Sequence, residues 1–155
     1  IVFVNSLQGK VGLPRRSAYA ASKHALLGFA DSLRAEVHKD NIHVTTVCPS
    51  YVKTELSLNA FTSSGEKYGS KMNSFVRISI MTLWIYVYII LEMDATTSKG
   101  ASPESIADEI FDAIIYKKNE ITLGPFYGRL FVYTRNILSP LYFKIMEKFE
   151  KDANK

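Results

Sequence analysis

The sequence is poor in cysteine. Cys48 is the single one in 155 residues, which excludes an internal disulfide. Such usage fits a reducing or cytosol-facing compartment, and Cys48 itself is interpreted as a small, buried apolar residue. The three histidines (His24, His38 and His43) have no metal-site spacing to a cysteine or a carboxylate cluster. No metal site is therefore predicted.

An excess of charge of one sign is also lacking. The 19 basic residues outnumber the 15 acidic residues only slightly, giving a net charge of +4, and no long basic run is present. Near the end of the chain lysines alternate with acidic residues, which is typical of a solvated helix face. A nucleic-acid partner is therefore not predicted. Hydrophobic residues at 47% and charged residues at 22% are typical of a globular domain.

The chain begins without a methionine or a signal peptide. Residues 1–4 are an apolar run rich in β-branched side chains, which predicts a buried strand already under way. We therefore expect a C-terminal fragment of a longer protein, forming a single partial domain over residues 1–155.

The first part of the chain shows a strand–helix–strand pattern. A glycine- and proline-containing loop over residues 5–16 leads to a helix over 18–38, with Ser17 as its predicted N-cap. A second strand over 42–47 is expected to stop at Pro49. Such a unit is a parallel crossover, so the sequence predicts an α/β fold with a partial doubly wound parallel sheet.

The second part continues with a helix and a strand. Ser102 and Pro103 predict a capped helix start. Its predicted buried face consists of Ile106, Ile110, Phe111, Ile114 and Ile115. Residues 121–123 predict a third strand, and residues 125–155 predict an amphipathic helical tail interrupted at Pro140.

Residues 71–92 form an anomalous apolar insertion. Residues 78–91 carry no charge, and they are fewer than the roughly 20 residues that a membrane-spanning helix needs. Two interpretations remain open, a hydrophobic lid that inserts into a lipid surface and translated intron sequence. The second is favoured.

Tyr19 and Lys23 are four residues apart in the predicted helix, so their side chains share one face. A tyrosine hydroxyl normally ionises near pH 10, and an adjacent ammonium favours the phenolate. The pair is therefore a workable general acid-base. Ser6, at the end of the preceding strand, is expected to reach the same reacting oxygen.

Ser6, the Tyr19-x-x-x-Lys23 pair and the segment from Pro49 to Thr54 occur in an order that resembles the short-chain dehydrogenase/reductase family. The resemblance implies the C-terminal half of an NAD(P)-binding Rossmann fold and reversible carbonyl reduction with NAD or NADP, NADP being slightly favoured. Tyr19 would move the proton, Lys23 would bind the nicotinamide ribose, and Ser6 would polarise the carbonyl. Pro49, Val52 and Thr54 would hold the nicotinamide, and Tyr19 would also contact the cofactor.

Longer runs at residues 5–10, 17–25 and 54–60 resemble one membrane-anchored branch of that family. They imply a small apolar substrate (a lipid, steroid or retinoid), a homodimer through the helix 18–38, and membrane association of the full-length protein. The implied location is the endoplasmic reticulum membrane, with the cytoplasm as the alternative.

The sequence also departs from the family pattern. The glycine-rich phosphate loop is absent, and Ser50 stands where the family usually has glycine, so its side chain is expected to crowd the cofactor or to strain the backbone. The chain alone is expected to be inactive. Two rival interpretations are therefore an inactive truncated fragment and a membrane-associated interaction protein without a cofactor.

Overall fold

The computed structural model describes residues 1–54 and 100–152. Within them, three parallel strands form one sheet in the order β1–β2–β3, and four α-helices pack around it. β1 is Val2–Val4, β2 is Thr45–Pro49 and β3 is Glu120–Leu123. The predicted parallel α/β architecture is confirmed. The apolar insertion at 71–92 lies outside the described residues.

β2 is the central strand, and all of its residues are buried. It begins at Thr45 rather than at the predicted residue 42, since Ile42 is exposed and lies before the sheet. It also includes Pro49, which was expected to stop it. The Thr45 N–H points toward β1 and bonds the Ile1 carbonyl, whereas the Ser50 N–H bonds Leu123 of β3. Backbone N–H groups along β2 thus face β1 and β3 in turn. At Pro49 the missing N–H would face the β1 side, where β1 has already ended.

The long helix α1 covers Ser17–Glu36. The predicted N-cap at Ser17 is wrong, because Arg16 occupies the cap position and makes no side-chain cap bond. Arg15 has a left-handed backbone with a φ of 61°, and the helix follows this turn at once, so Ser17 is already helical. The helix ends at Glu36, two residues before the predicted end.

Arg34 ties α1 to the sheet. Its guanidinium donates to the Val44 carbonyl at 3.1 Å, and to the Thr46 hydroxyl and the Asn119 carbonyl at 3.0 Å each. Ala30, one turn earlier, is completely buried. These contacts connect α1 to β2 and to the chain just before β3, so the helix has a fixed position relative to the strands.

The second helix, α2, covers Pro103–Ile115 and begins as the sequence predicts. The Ser102 hydroxyl accepts a hydrogen bond from the Ser105 N–H at 3.1 Å. The predicted buried face is only partly correct. Ala113 is fully buried, but the large side chains beyond it are exposed: Phe111, Ile114 and Ile115. The helix contacts β2 and β3, and these apolar side chains remain outside that contact.

The last two helices are α3, Phe126–Ile137, and α4, Ser139–Asp152. The break between them falls at Leu138, and Pro140 lies in the first turn of α4, where proline is tolerated. The helices pack against each other and close a hydrophobic cluster formed by Leu7, Val11, Phe131 and Tyr142. Among the described helices, none has the length and apolar character needed to cross a membrane.

Candidate active site

Ser6 lies just beyond the carboxyl end of β1. It has an extended backbone and caps a short 3₁₀ turn, Leu7–Gly9, because its hydroxyl oxygen accepts a hydrogen bond from the Gln8 N–H at 3.2 Å. The side chain is half-buried. Since a hydroxyl can donate while it accepts, the Ser6 proton is still available for a substrate oxygen.

Tyr19 and Lys23 lie in the first two turns of α1. The Lys23 ammonium is 5.8 Å from the centroid of the Tyr19 ring. It also donates to the carbonyl of Val4, the last residue of β1, at 3.3 Å. Tyr19 is 42% exposed, so its ring is open to solvent on one side. The predicted pair therefore exists, and Lys23 connects it to the strand end that Ser6 follows.

Gly9 allows the 3₁₀ turn to lie directly against α1. A Cβ atom at Gly9 would be 2.8 Å from both amide atoms of Asn5 and 2.9 Å from the backbone carbonyl oxygen of Lys23. Any larger residue would push the turn away from the helix. The sequence pattern predicts Gly9 only as part of a loop, because no local pattern reveals a close approach between distant segments.

The loop between Ser6 and Tyr19 is held from the outside by α4. The buried Tyr142 hydroxyl donates to the Gly12 carbonyl, and burial raises the pKa of Tyr142, which keeps the proton on this donor. Arg15 pairs with both carboxylate oxygens of Glu150 at 3.1–3.2 Å. The helical tail is therefore part of the frame around the candidate site.

Known proteins are similar to this chain in the region that contains these site residues. The family model for short chain dehydrogenases matches residues 1–64, which include Ser6, Tyr19, Lys23 and the Pro49–Thr54 segment. The chain is 41% identical over 148 residues to a Drosophila melanogaster dehydrogenase/reductase SDR family protein 7-like, covering 96% of the chain and 39% of that protein. It is 41% identical over 146 residues to the dehydrogenase/reductase SDR family member 7B of Bos taurus, covering 94% of the chain and 38% of that protein.

By these comparisons the chain is similar to the short-chain dehydrogenase family. The three runs noted above resemble member 7B, and this predicted relationship is confirmed by the curated relatives. The chain spans about two fifths of the length of the relatives it matches. A short-chain dehydrogenase from Streptomyces avermitilis shares the fold with a TM-score of 0.55 at 22% identity, over 97% of this chain and 51% of that one.

The segment after β2 carries the backbone groups that the family resemblance assigns to a nicotinamide. The Tyr51 carbonyl accepts from the Ala101 N–H at 3.1 Å, and the Lys53 N–H donates to the Ala101 carbonyl at 2.9 Å. Val52, between them, has no backbone partner among the described residues. The Val52 N–H can donate a hydrogen bond and its C=O can accept one, which matches the C=O and the NH₂ group of a carboxamide. The backbone of Val52 is therefore compatible with a nicotinamide carboxamide.

The remaining predicted cofactor residues flank Val52. Pro49 is buried at the end of β2, where it pairs with Leu123. Thr54 is exposed and is the last residue described before residue 100. The structure places both on the segment that carries Val52, but it shows no contact that assigns them a role.

Ser50 does not strain the backbone as predicted. It is not among the described non-glycine residues with positive φ, which are Arg15, Asn41 and Lys117. The Ser50 side chain instead lies against Gly124, which has a φ of 130°. A Cβ atom added at Gly124 would be 2.5 Å from the Ser50 Cβ. The Ser50 side chain is thus accommodated by a glycine that follows β3.

Cys48 has the predicted environment. It is fully buried in β2, and burial raises the pKa of its thiol to about 11, against a smaller opposing effect of the Lys10 ammonium. The neutral thiol is the form present at physiological pH, so Cys48 acts as an apolar core residue. Among the described residues, no group of histidine, cysteine and acidic side chains could hold a metal ion.

Proposed function

We propose that this chain supplies the acid-base and nicotinamide-binding groups of an NAD(P)(H)-dependent oxidoreductase that interconverts a carbonyl and an alcohol. The observation that carries the proposal is the position of Lys23, whose ammonium lies near the Tyr19 ring and donates to the last carbonyl of β1. This position supports a proton-transfer role for the pair, because it lies at the carboxyl edge of the sheet, where open α/β folds bind ligands.

Each side chain has a separate task in the reduction. The Tyr19 hydroxyl gives its proton to the substrate oxygen as negative charge develops there. The Lys23 ammonium stabilises the resulting phenolate and has further N–H groups for the ribose hydroxyls, since it donates only one to Val4. The Ser6 hydroxyl donates to the same substrate oxygen and polarises it.

The cofactor would be held by the backbone of Val52 together with Lys23, Thr54 and Pro49. When bound, the nicotinamide supplies the hydride. We favour NADP over NAD from the family resemblance, and an apolar substrate such as a lipid, steroid or retinoid for the same reason.

Cofactor oxidation in the full-length protein tests this function. We expect NADPH or NADH to be consumed when a panel of apolar aldehydes and ketones is added. Because Ser6 polarises the carbonyl, Ser6→Ala should lower kcat by about 10²–10³-fold. Ser32→Ala, an exposed position on α1, is the matched control and should leave kcat unchanged. A protein that consumes neither cofactor with any substrate would support the non-enzymatic interpretation.

We further propose that the full-length enzyme is a homodimer through α1. Leu26 and Leu33 are half-buried, whereas Phe29 is 57% exposed and Ala25 is also exposed. An exposed apolar stripe on this helix supports a subunit contact. Sedimentation equilibrium should show a dimer at micromolar concentration, and Phe29→Glu should shift it to monomer. A wild-type protein that is monomeric under these conditions would disprove the contact.

A further inference from the structure

A cavity lies on the outer side of the loop that leads into α1. It has a volume of about 390 Å³ and is formed by the loop residues Gly12–Pro14, the start of α1, and the two C-terminal helices. This size falls within the range of small-molecule sites. Most of the walls are apolar, with Leu13, Pro14 and Met146 contributing side chains.

Arg135 of α3 is the cationic side chain of this cavity. Its guanidinium carbon is 5.7 Å from the centroid of the Tyr142 ring and 5.3 Å from that of Phe143. None of the described residues gives it a carboxylate or carbonyl partner, whereas Arg15 and Arg34 both have such partners. A half-buried cation held against two rings, with no anion of its own, is ready to bind one.

The cavity is separate from the proposed reaction centre. Its α1 wall consists of Ser17, Ala20 and His24, whereas Tyr19 and Lys23 do not line it. Successive helix residues are rotated by about 100°, so these two groups of residues occupy neighbouring but different faces of α1. The His24 ring is fixed there, because its Nδ1 lies 2.8 Å from the Ala20 carbonyl and must donate to it.

We propose that this cavity binds a small amphipathic carboxylate, with the anion on Arg135 and an aliphatic body against Leu13, Pro14 and Met146. A carboxylate matches the planar guanidinium fork. Among the described residues, no lysine and no second arginine line the cavity, so one negative charge is matched better than two. The Tyr142 hydroxyl already donates to Gly12, which leaves Arg135 as the main polar anchor.

Binding of decanoate to the full-length protein tests this site without any requirement for catalysis. Isothermal titration calorimetry should show one decanoate per chain, and decanol, which lacks the charge, should bind at least 10-fold more weakly. Arg135→Gln should weaken decanoate binding at least 10-fold and leave decanol binding unchanged. Arg129→Gln removes an exposed arginine from the same helix and should bind decanoate like the wild type.

Equal affinities of the wild type for decanoate and decanol would overturn the proposal, and that comparison needs no variant. Equal binding by the wild type and Arg135→Gln, or equal weakening by Arg129→Gln, would also overturn it. Thermal melting shows whether Arg135→Gln is folded; if it is not, Arg135→Lys takes its place and should bind with intermediate affinity. Loss of turnover in a Ser6 or Tyr19 variant with decanoate binding retained would separate this site from the proposed reaction centre.

Discussion

Tyr19→Phe should lower kcat of the full-length protein by about 10²–10⁴-fold, the range that a general acid-base contributes. The substitution removes one oxygen and leaves the ring, so the contact of the Lys23 ammonium with the ring, 5.8 Å from its centroid, is retained. The Lys23 bond to Val4 is also unaffected. We therefore expect the Kd for NADPH, measured by fluorescence titration, to stay close to the wild-type value.

Tyr116→Phe is the matched control for this experiment. Tyr116 also has a lysine ammonium over its ring, that of Lys118 at 5.9 Å, but it is 70% exposed and lies beyond the end of α2, far along the chain from Ser6. The Tyr116→Phe protein should turn over its substrate at the wild-type rate. If Tyr19→Phe retained a comparable rate, the assignment of Tyr19 as the proton donor would be wrong.

Phe131→Ala should lower the free energy of unfolding by about 3–5 kcal/mol, the usual range for truncation of a buried phenylalanine. Phe131 is 1% exposed and is the largest of the fully buried side chains in the described residues. Its ring centroid is 5.1 Å from that of Tyr142, and it also packs in the cluster with Leu7 and Val11. Urea denaturation followed by circular dichroism measures the change.

Tyr133→Ala on the same helix provides the comparison. Its ring is 60% exposed, so its truncation should change the free energy of unfolding by no more than about 0.5 kcal/mol. Similar losses for Phe131→Ala and Tyr133→Ala would mean that the cluster around Leu7 does not stabilise the fold in the way the structure indicates.

Features determined by neighbouring residues could be predicted from the sequence. The start of α2 is one example, since the Ser102 hydroxyl and the Pro103 ring act within a single turn. The approach of Lys23 to Tyr19 is another, because a helix brings residues four apart onto one face. The parallel sheet followed from the alternation of strands and helix, although the start of β2 was placed three residues too early.

Features determined by distant segments could not be predicted in this way. The exposure of Phe111 depends on which stripe of α2 faces β2 and β3, and an apolar pattern alone does not show how wide that stripe is. The closeness of Gly9 to Lys23 depends on the packing of the 3₁₀ turn on α1. The left-handed backbone of Arg15 has no glycine or asparagine to signal it.

The contacts that frame the loop before Tyr19 join the two ends of the chain. Lys10 pairs with Glu120, Tyr142 bonds Gly12 and Arg15 pairs with Glu150, across sequence separations of 110, 130 and 135 residues. Contacts between residues so far apart in the sequence form slowly, because the entropy cost of closing a long loop must be overcome first. During synthesis the loop therefore acquires its final geometry only after α4 has left the ribosome. In a chain that stops short of α4, the loop that leads into the helix carrying Tyr19 lacks this support.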